Sequence, residues 1–193
     1  MPAPRVHIVH GYTAAPSAHW FPWLGEQLAA TGIEVSIHAM PDSRQPRLDA
    51  WLAHLEREIG RPGDEDILLG HSLGCITLLH YLQALPEPLT IGGLILVAGF
   101  DQTLPGLAEL DPFVRPHYDP DKIRRIAAQR TSIASRNDGV VPYPYSVALA
   151  ERLGSGLHSV ANGGHFLGRE GITELPLALE HILAMRQRAG RVA

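Results

Sequence analysis

Short runs of β-branched residues and leucine alternate along this chain with longer segments in which apolar positions recur every three or four residues. The runs at 6–9, 34–37, 66–69, 93–98, 132–134 and 158–160 have the length and composition of strands. Between them, residues 20–30 predict a helix entered at Ser17, and Leu48, Leu52, Leu55 and Ile59 repeat at helical spacing in the next. Further helices are expected over 73–82, 120–129, 143–153 and 174–187, with Gly and Pro at the joins. This alternation is the pattern of a largely parallel sheet covered by helices on both faces.

One segment departs from it. Residues 101–119 carry Pro105, Pro112 and Pro116, with Pro120 just beyond, and show neither period. Loops of this length in a compact domain tend to border a binding site, so the segment is expected to form a short lid, with Phe113 and Tyr118 as substrate contacts. Residues 186–193 are expected to fray. The 193 residues suit a single domain, with no internal repeat or linker.

Composition narrows the function classes. Hydrophobic residues are 45% and charged residues 19%, ordinary globular usage, and the formal net charge is −4. No Lys or Arg run stands out, so neither nucleic acid nor an anionic membrane is an expected partner. A single cysteine, Cys75, cannot form an internal disulfide, which together with the lack of a leader-like start predicts the cytoplasm. The longest apolar stretch, near 91–100, is about half of the ~20 residues that span a bilayer.

The chemistry begins at residues 66–82. A buried strand runs into Gly70-His71-Ser72-Leu73-Gly74, and a helical period follows. Glycines flank the serine because it must sit in a sharp strand-to-helix turn that larger neighbours would block, and the turn exposes its hydroxyl. The spacing alone is weak; its position between strand and helix gives it force. Ser72 is the candidate nucleophile, against the plainer alternative of a serine capping the helix.

A serine hydroxyl needs a histidine to take its proton and a carboxylate to orient that histidine. In this context the order along the chain is Ser, then Asp or Glu, then His, each on a loop after a later strand. Asp138, in the turn-rich segment 135–142, is the leading acid, although an Asp-Gly turn commonly uses its carboxylate on its own backbone. Asp101, after an earlier strand, competes with it. His165 leads among eleven histidines because it follows the last strand in a Gly-rich loop. The backbone N–H groups of Tyr12 and Leu73 are the candidate oxyanion donors. Trp20, Phe21 and Trp23 fit core packing, while Trp20 is also placed to edge a pocket. No metal or cofactor motif occurs, and neither is expected.

With HGYTAAPSAHWFPWL at 10–24, GHSLG at 70–74, SRNDGVVP at 135–142 and NGGHF at 162–166, the chain resembles the retinoblastoma-binding protein nine family, including its YdeN-like bacterial members. The resemblance runs almost end to end. It implies a three-layer α/β-hydrolase fold, with six strands ordered 2-1-3-4-5-6 and no large cap domain. It also implies serine hydrolase activity, with Ser72, Asp138 and His165 in the triad positions, but supplies no substrate; the triad chemistry itself points to a small-molecule acyl substrate. The acidic, Cys-containing motif tied to retinoblastoma-protein association in vertebrate relatives is not found, so that partner is not expected. Acyl transfer by the same triad, or protein binding by a retired hydrolase fold, are the rival functions.

Overall fold

The computed structural model describes residues 4–189. Six parallel strands, β1 (Arg5–Val9), β2 (Glu34–His38), β3 (Asp66–His71), β4 (Gly93–Val97), β5 (Arg130–Ser135) and β6 (Gly156–Val160), form one sheet in the order β2-β1-β3-β4-β5-β6. Among the described residues, seven helices connect and cover them: α1 (Phe21–Ala29), α2 (Leu48–Glu58), α3 (Leu73–Ala84), α4 (Asp111–Val114), α5 (Pro120–Ile126), α6 (Tyr143–Leu153) and α7 (Pro176–Ala189).

The pleat sorts apolar side chains onto two faces. Val6 and Ile8 of β1, Ile67 and Leu69 of β3, and Ile95 and Val97 of β4 point to the face covered by α1 and α7. Val9, Leu68, Leu94 and Leu96 point to the other, where α3 is sandwiched between the sheet and α2, α4 and α5. Both faces of the central strands are thus dry, which explains why they read as unbroken apolar runs.

The side on which successive strands are added reverses between β1 and β3, since β2 lies outside β1 on one side and β4 to β6 follow on the other. Ligands of open parallel sheets bind at the carboxyl ends of the strands beside such a reversal. Here Val9 pairs with Gly70, and His71 with Val97, so the loops after β1, β3 and β4 emerge side by side.

Local expectations differ in four places. Helix α1 begins at Phe21 without a side-chain cap, because residues 15–20 form a turn in which Ala18 N–H donates to Ala15 O and His19 takes a φ of 56°. Helix α5 ends at Ile126, not 129, and β5 starts at Arg130. The 101–119 segment is partly ordered, with a 3-10 turn at Ala108–Leu110 leading into α4. Residues 186–189, expected to fray, continue α7; the remainder of that tail, 190–193, lies outside the described residues.

Candidate active site

Ser72 occupies the turn between β3 and α3 with φ 55° and ψ −120°, a conformation that side chains rarely adopt and that stores about 1–3 kcal/mol of strain. Its neighbours make the turn possible. A Cβ on Gly70 would stand 2.8 Å from the backbone nitrogen of Cys75, and one on Gly74 would overlap the carbonyl oxygen of Val9. Ser72 sits at the cap position of α3 yet makes no side-chain cap bond. Its Oγ lies 2.9 Å from Nε2 of His165 instead.

His165 is carried by a loop held from several directions. Gly163 N–H donates to Ser135 Oγ at 2.8 Å and Gly164 N–H to Asn137 Oδ1 at 2.8 Å, tying the loop to the end of β5. Glu170 Oε2 accepts the N–H groups of His165 at 2.7 Å and Leu167 at 3.1 Å. On the inner side, His71 Nε2 donates to His165 O at 2.9 Å and Trp20 Nε1 to Phe166 O at 3.1 Å. Burial holds the His71 imidazole well below the usual histidine range, so it stays a neutral donor behind the site.

Asp138 completes the chain of contacts. Its Oδ2 lies 2.8 Å from His165 Nδ1, while Oδ1 accepts the N–H groups of Val140 at 2.8 Å and Val141 at 2.9 Å. The turn role and the histidine-orienting role therefore coexist on one carboxylate. A proton on Nδ1, shared with Asp138, leaves Nε2 as an acceptor for the Ser72 hydroxyl. Asp101 is elsewhere: its Oδ2 accepts from Tyr118 and Arg152.

Gly11 brings the loop after β1 against Ser72, since a Cβ there would stand 2.9 Å from Ser72 Cβ. The backbone N–H groups of Tyr12, in this loop, and Leu73, at the start of α3, have no hydrogen-bond partner among the described residues. Both fit the requirement for donors left free for a ligand oxygen.

Ser72 and His165 form part of the wall of a cavity of about 590 Å³. Leu104, Leu107 and Leu110 from the lid segment, with Val140, supply an apolar side. Ala18, His19, Leu167 and Arg169 supply the other. Trp20, Phe113 and Tyr118, expected as substrate contacts, do not line it. Trp20 is fully buried with its ring 4.7 Å from that of Phe21, and Phe113 meets Trp51 at 5.5 Å. Tyr118 is buried with its hydroxyl on Asp101. Large aromatic rings gain most from full burial, and the segment gives its wall positions to aliphatic residues instead. Among the described residues no three His, Cys, Asp or Glu side chains are grouped to hold a metal ion.

A sequence model described as Serine hydrolase matches residues 6–184. The chain belongs to the serine hydrolase family. Within that family it is 42% identical to YdeN of Bacillus subtilis (strain 168) over 176 residues, 91% of this chain and 93% of that protein. It is 27% identical to serine hydrolase RBBP9 of Rattus norvegicus over 154 residues, 78% and 80% of the two chains. The crystal structure of the ydeN gene product superposes with a TM-score of 0.93 at 39% identity, covering 96% of this chain and all of that one, 100%. Est1E of Butyrivibrio proteoclasticus shares the fold, with a TM-score of 0.68 at 16% identity over 94% of this chain and 89% of its own. The resemblance seen in the motifs is thus a family membership.

Several residues of this serine hydrolase site escape a reading of the sequence. Glu170, Asn137 and Ser135 act on backbone N–H groups, whose directions depend on local turns such as φ 53° at Gly164 and 56° at Phe166. His19 accepts Gly168 N–H through Nδ1 at 3.0 Å, a contact between residues 149 apart in sequence. His71, set inside the turn motif, gives the one local hint of a second histidine.

Proposed function

We propose that this serine hydrolase cleaves a small or medium acyl ester, thioester or amide through Ser72, His165 and Asp138. The observation carrying this reading is the unbroken contact from Asp138 Oδ2 through His165 to Ser72 Oγ, at 2.8 and 2.9 Å, opening on a cavity. His165 Nε2 takes the hydroxyl proton as Oγ attacks the carbonyl carbon. Negative charge developing on the carbonyl oxygen is received by the N–H groups of Tyr12 and Leu73, each donor of this kind contributing about 10²–10³-fold in rate. Collapse expels the leaving group, which takes its proton from His165; water, deprotonated by His165, then releases the acid and restores Ser72.

The cavity of about 590 Å³ falls in the usual range for small-molecule sites, about 300–1,000 Å³, and so supports a small acyl compound as partner. The buried, unpaired Cys75 thiol supports action in the reducing cytoplasm. Fluorophosphonate labelling of the purified protein, with a panel of acyl esters, tests the reading. The expected result is one label per chain, lost in Ser72→Ala together with ester hydrolysis. Labelling or hydrolysis that survives Ser72→Ala would overturn it, as would the absence of both in the native chain.

A further inference from the structure

The cavity has two unlike sides. Leu104, Leu107, Leu110 and Val140 belong to the apolar cluster on the α3 face of the sheet, and they present no charge. The opposite side belongs to the α1 and α7 face, where Ala18 packs, and carries His19 and Arg169. Arg169 is the one side chain with a permanent charge among the described lining residues, and no carboxylate or carbonyl among the described residues pairs with it.

Glu170 and Glu109 keep their charge but make their hydrogen bonds elsewhere and form no ion pair with Arg169. Glu170, its neighbour in sequence, turns its Oε2 inward onto His165 and Leu167 N–H. Glu109, on the lid, accepts the Tyr12 hydroxyl at 3.2 Å. His19 uses Nδ1 to accept Gly168 N–H, so its remaining ring nitrogen, Nε2, carries the proton in the neutral ring. Burial and the neighbouring charge of Arg169, opposed in part by Glu170, hold His19 below the ordinary histidine range, which keeps it a neutral donor.

Orientation follows from the chemistry. His165 Nε2 must reach the leaving atom to protonate it, so the leaving half of the substrate lies toward the loop that carries His165. Arg169 lies on that same loop, four residues on. The acyl half then falls against the lid leucines.

Resting on the proposed function, we infer that Arg169 selects substrates whose acyl half is apolar and whose leaving half bears a carboxylate. The overall reaction on such an ester is plain hydrolysis. The acyl carbon transfers to Ser72 Oγ as the leaving oxygen takes the proton that His165 held; water then supplies hydroxyl to the acyl carbon and a proton, through His165, to Ser72, and the released acid ionises.

The test compares kcat/KM for two butyryl esters, one of glycolate (anionic) and one of glycolamide (neutral). A second pair, mono-4-nitrophenyl glutarate and 4-nitrophenyl pentanoate, places the charge on the acyl side. The native chain should favour the glycolate ester about five- to tenfold, the scale of one partly exposed arginine–carboxylate pair. High salt should shrink this ratio. Arg169→Gln should bring it close to one, and Arg169→Lys should retain part of it. A native ratio near one, a ratio unchanged in Arg169→Gln, or a preference for the anionic acyl chain would each overturn the assignment of Arg169. Because the neutral ester and Ser72 labelling report the hydrolase separately, either signal with no glycolate preference removes this inference alone; loss of both overturns the two together.

Discussion

Tyr118 donates its hydroxyl to Asp101 Oδ2 across 2.6 Å, and Arg152 closes on the same oxygen. The lid segment is thereby clasped to α6 by a carboxylate that sequence order alone would have allowed beside the histidine. Two aspartates at strand ends thus divide the labour: one holds the lid and the other faces His165.

That division makes the two variants unlike. Asp138→Asn should keep the fold and lower kcat by about 10⁴-fold, because an amide at this position favours the wrong imidazole tautomer. Asp101→Asn should instead weaken a buried, charge-assisted contact and cost about 1–3 kcal/mol of stability with a far smaller loss of kcat. Ester hydrolysis and urea unfolding of both variants check this. Collapse of activity in the Asp101 variant alone would move the acid to β4.

Glu170 acts through His165, not on substrate. Glu170→Ala frees two N–H groups of the histidine loop and should lower kcat about ten- to a hundredfold with little change in KM, the scale of a small misplacement of a catalytic group. Glu170→Gln keeps an acceptor oxygen and should recover part of the loss. Equal effects of the two substitutions, or a change in KM alone, would contradict the positioning role.

The lid contributes wall through its leucines and core through its aromatics. Leu107→Ala should shift preference toward longer acyl chains in an ester series, since Leu107 lines the cavity and is only partly buried. Phe113→Ala should leave a void in the core and cost about 3–5 kcal/mol, read by urea unfolding. If Phe113→Ala shifted chain-length preference without loss of stability, the burial described for it would be wrong.

The alternation of strands and helices, the turn at Ser72 and the chain order of Ser72, Asp138 and His165 were legible because each is written locally, whereas the order of strands in the sheet came only through the family resemblance. A glycine-flanked serine between a strand and a helix, or a turn-rich acid after a strand, needs no knowledge of distant residues. The aromatic assignments failed for the opposite reason. Whether Trp20 faces a cavity or the core depends on Phe21, His71 and the Phe166 carbonyl, which sequence proximity does not reveal. Glu170 was invisible because its partners are backbone groups. The membership of Arg169 in the cavity follows from a 3-10 turn, Gly168–Glu170, with no periodic signature.

Acid should destabilise the fold. His7, His10, His38, His71 and His80 are buried, and burial lowers the pKa of each, that of His38 to about 4. An unfolded chain takes up these protons near 6.5, the ordinary histidine value, while the folded chain refuses them until lower pH. The unfolded state then binds more protons, so stability is complete above that value and is lost as pH falls, by about 1.4 kcal/mol per pH unit for each such histidine. Urea unfolding should show a lower free energy at about pH 5 than at about pH 7. A flat or opposite trend would mean that these rings are charged in the folded state.

The close approach of Gly74 to the Val9 carbonyl and of Gly11 to the His71 carbonyl joins the first strand's exit and the serine turn through main chain alone. Nothing between them can flex by changing a rotamer. The Ser72 backbone and the N–H groups of Tyr12 and Leu73 are therefore held together by main-chain packing, while the hydroxyl takes its direction from His165. The segment that closes the cavity from the lid side is held differently: it turns at Gly106 with φ 76° and is tied by side chains, Tyr12 on Glu109. Diversification of substrate range in this architecture can then proceed by rewriting the lid and the Arg169 turn, while the reacting centre keeps its dimensions.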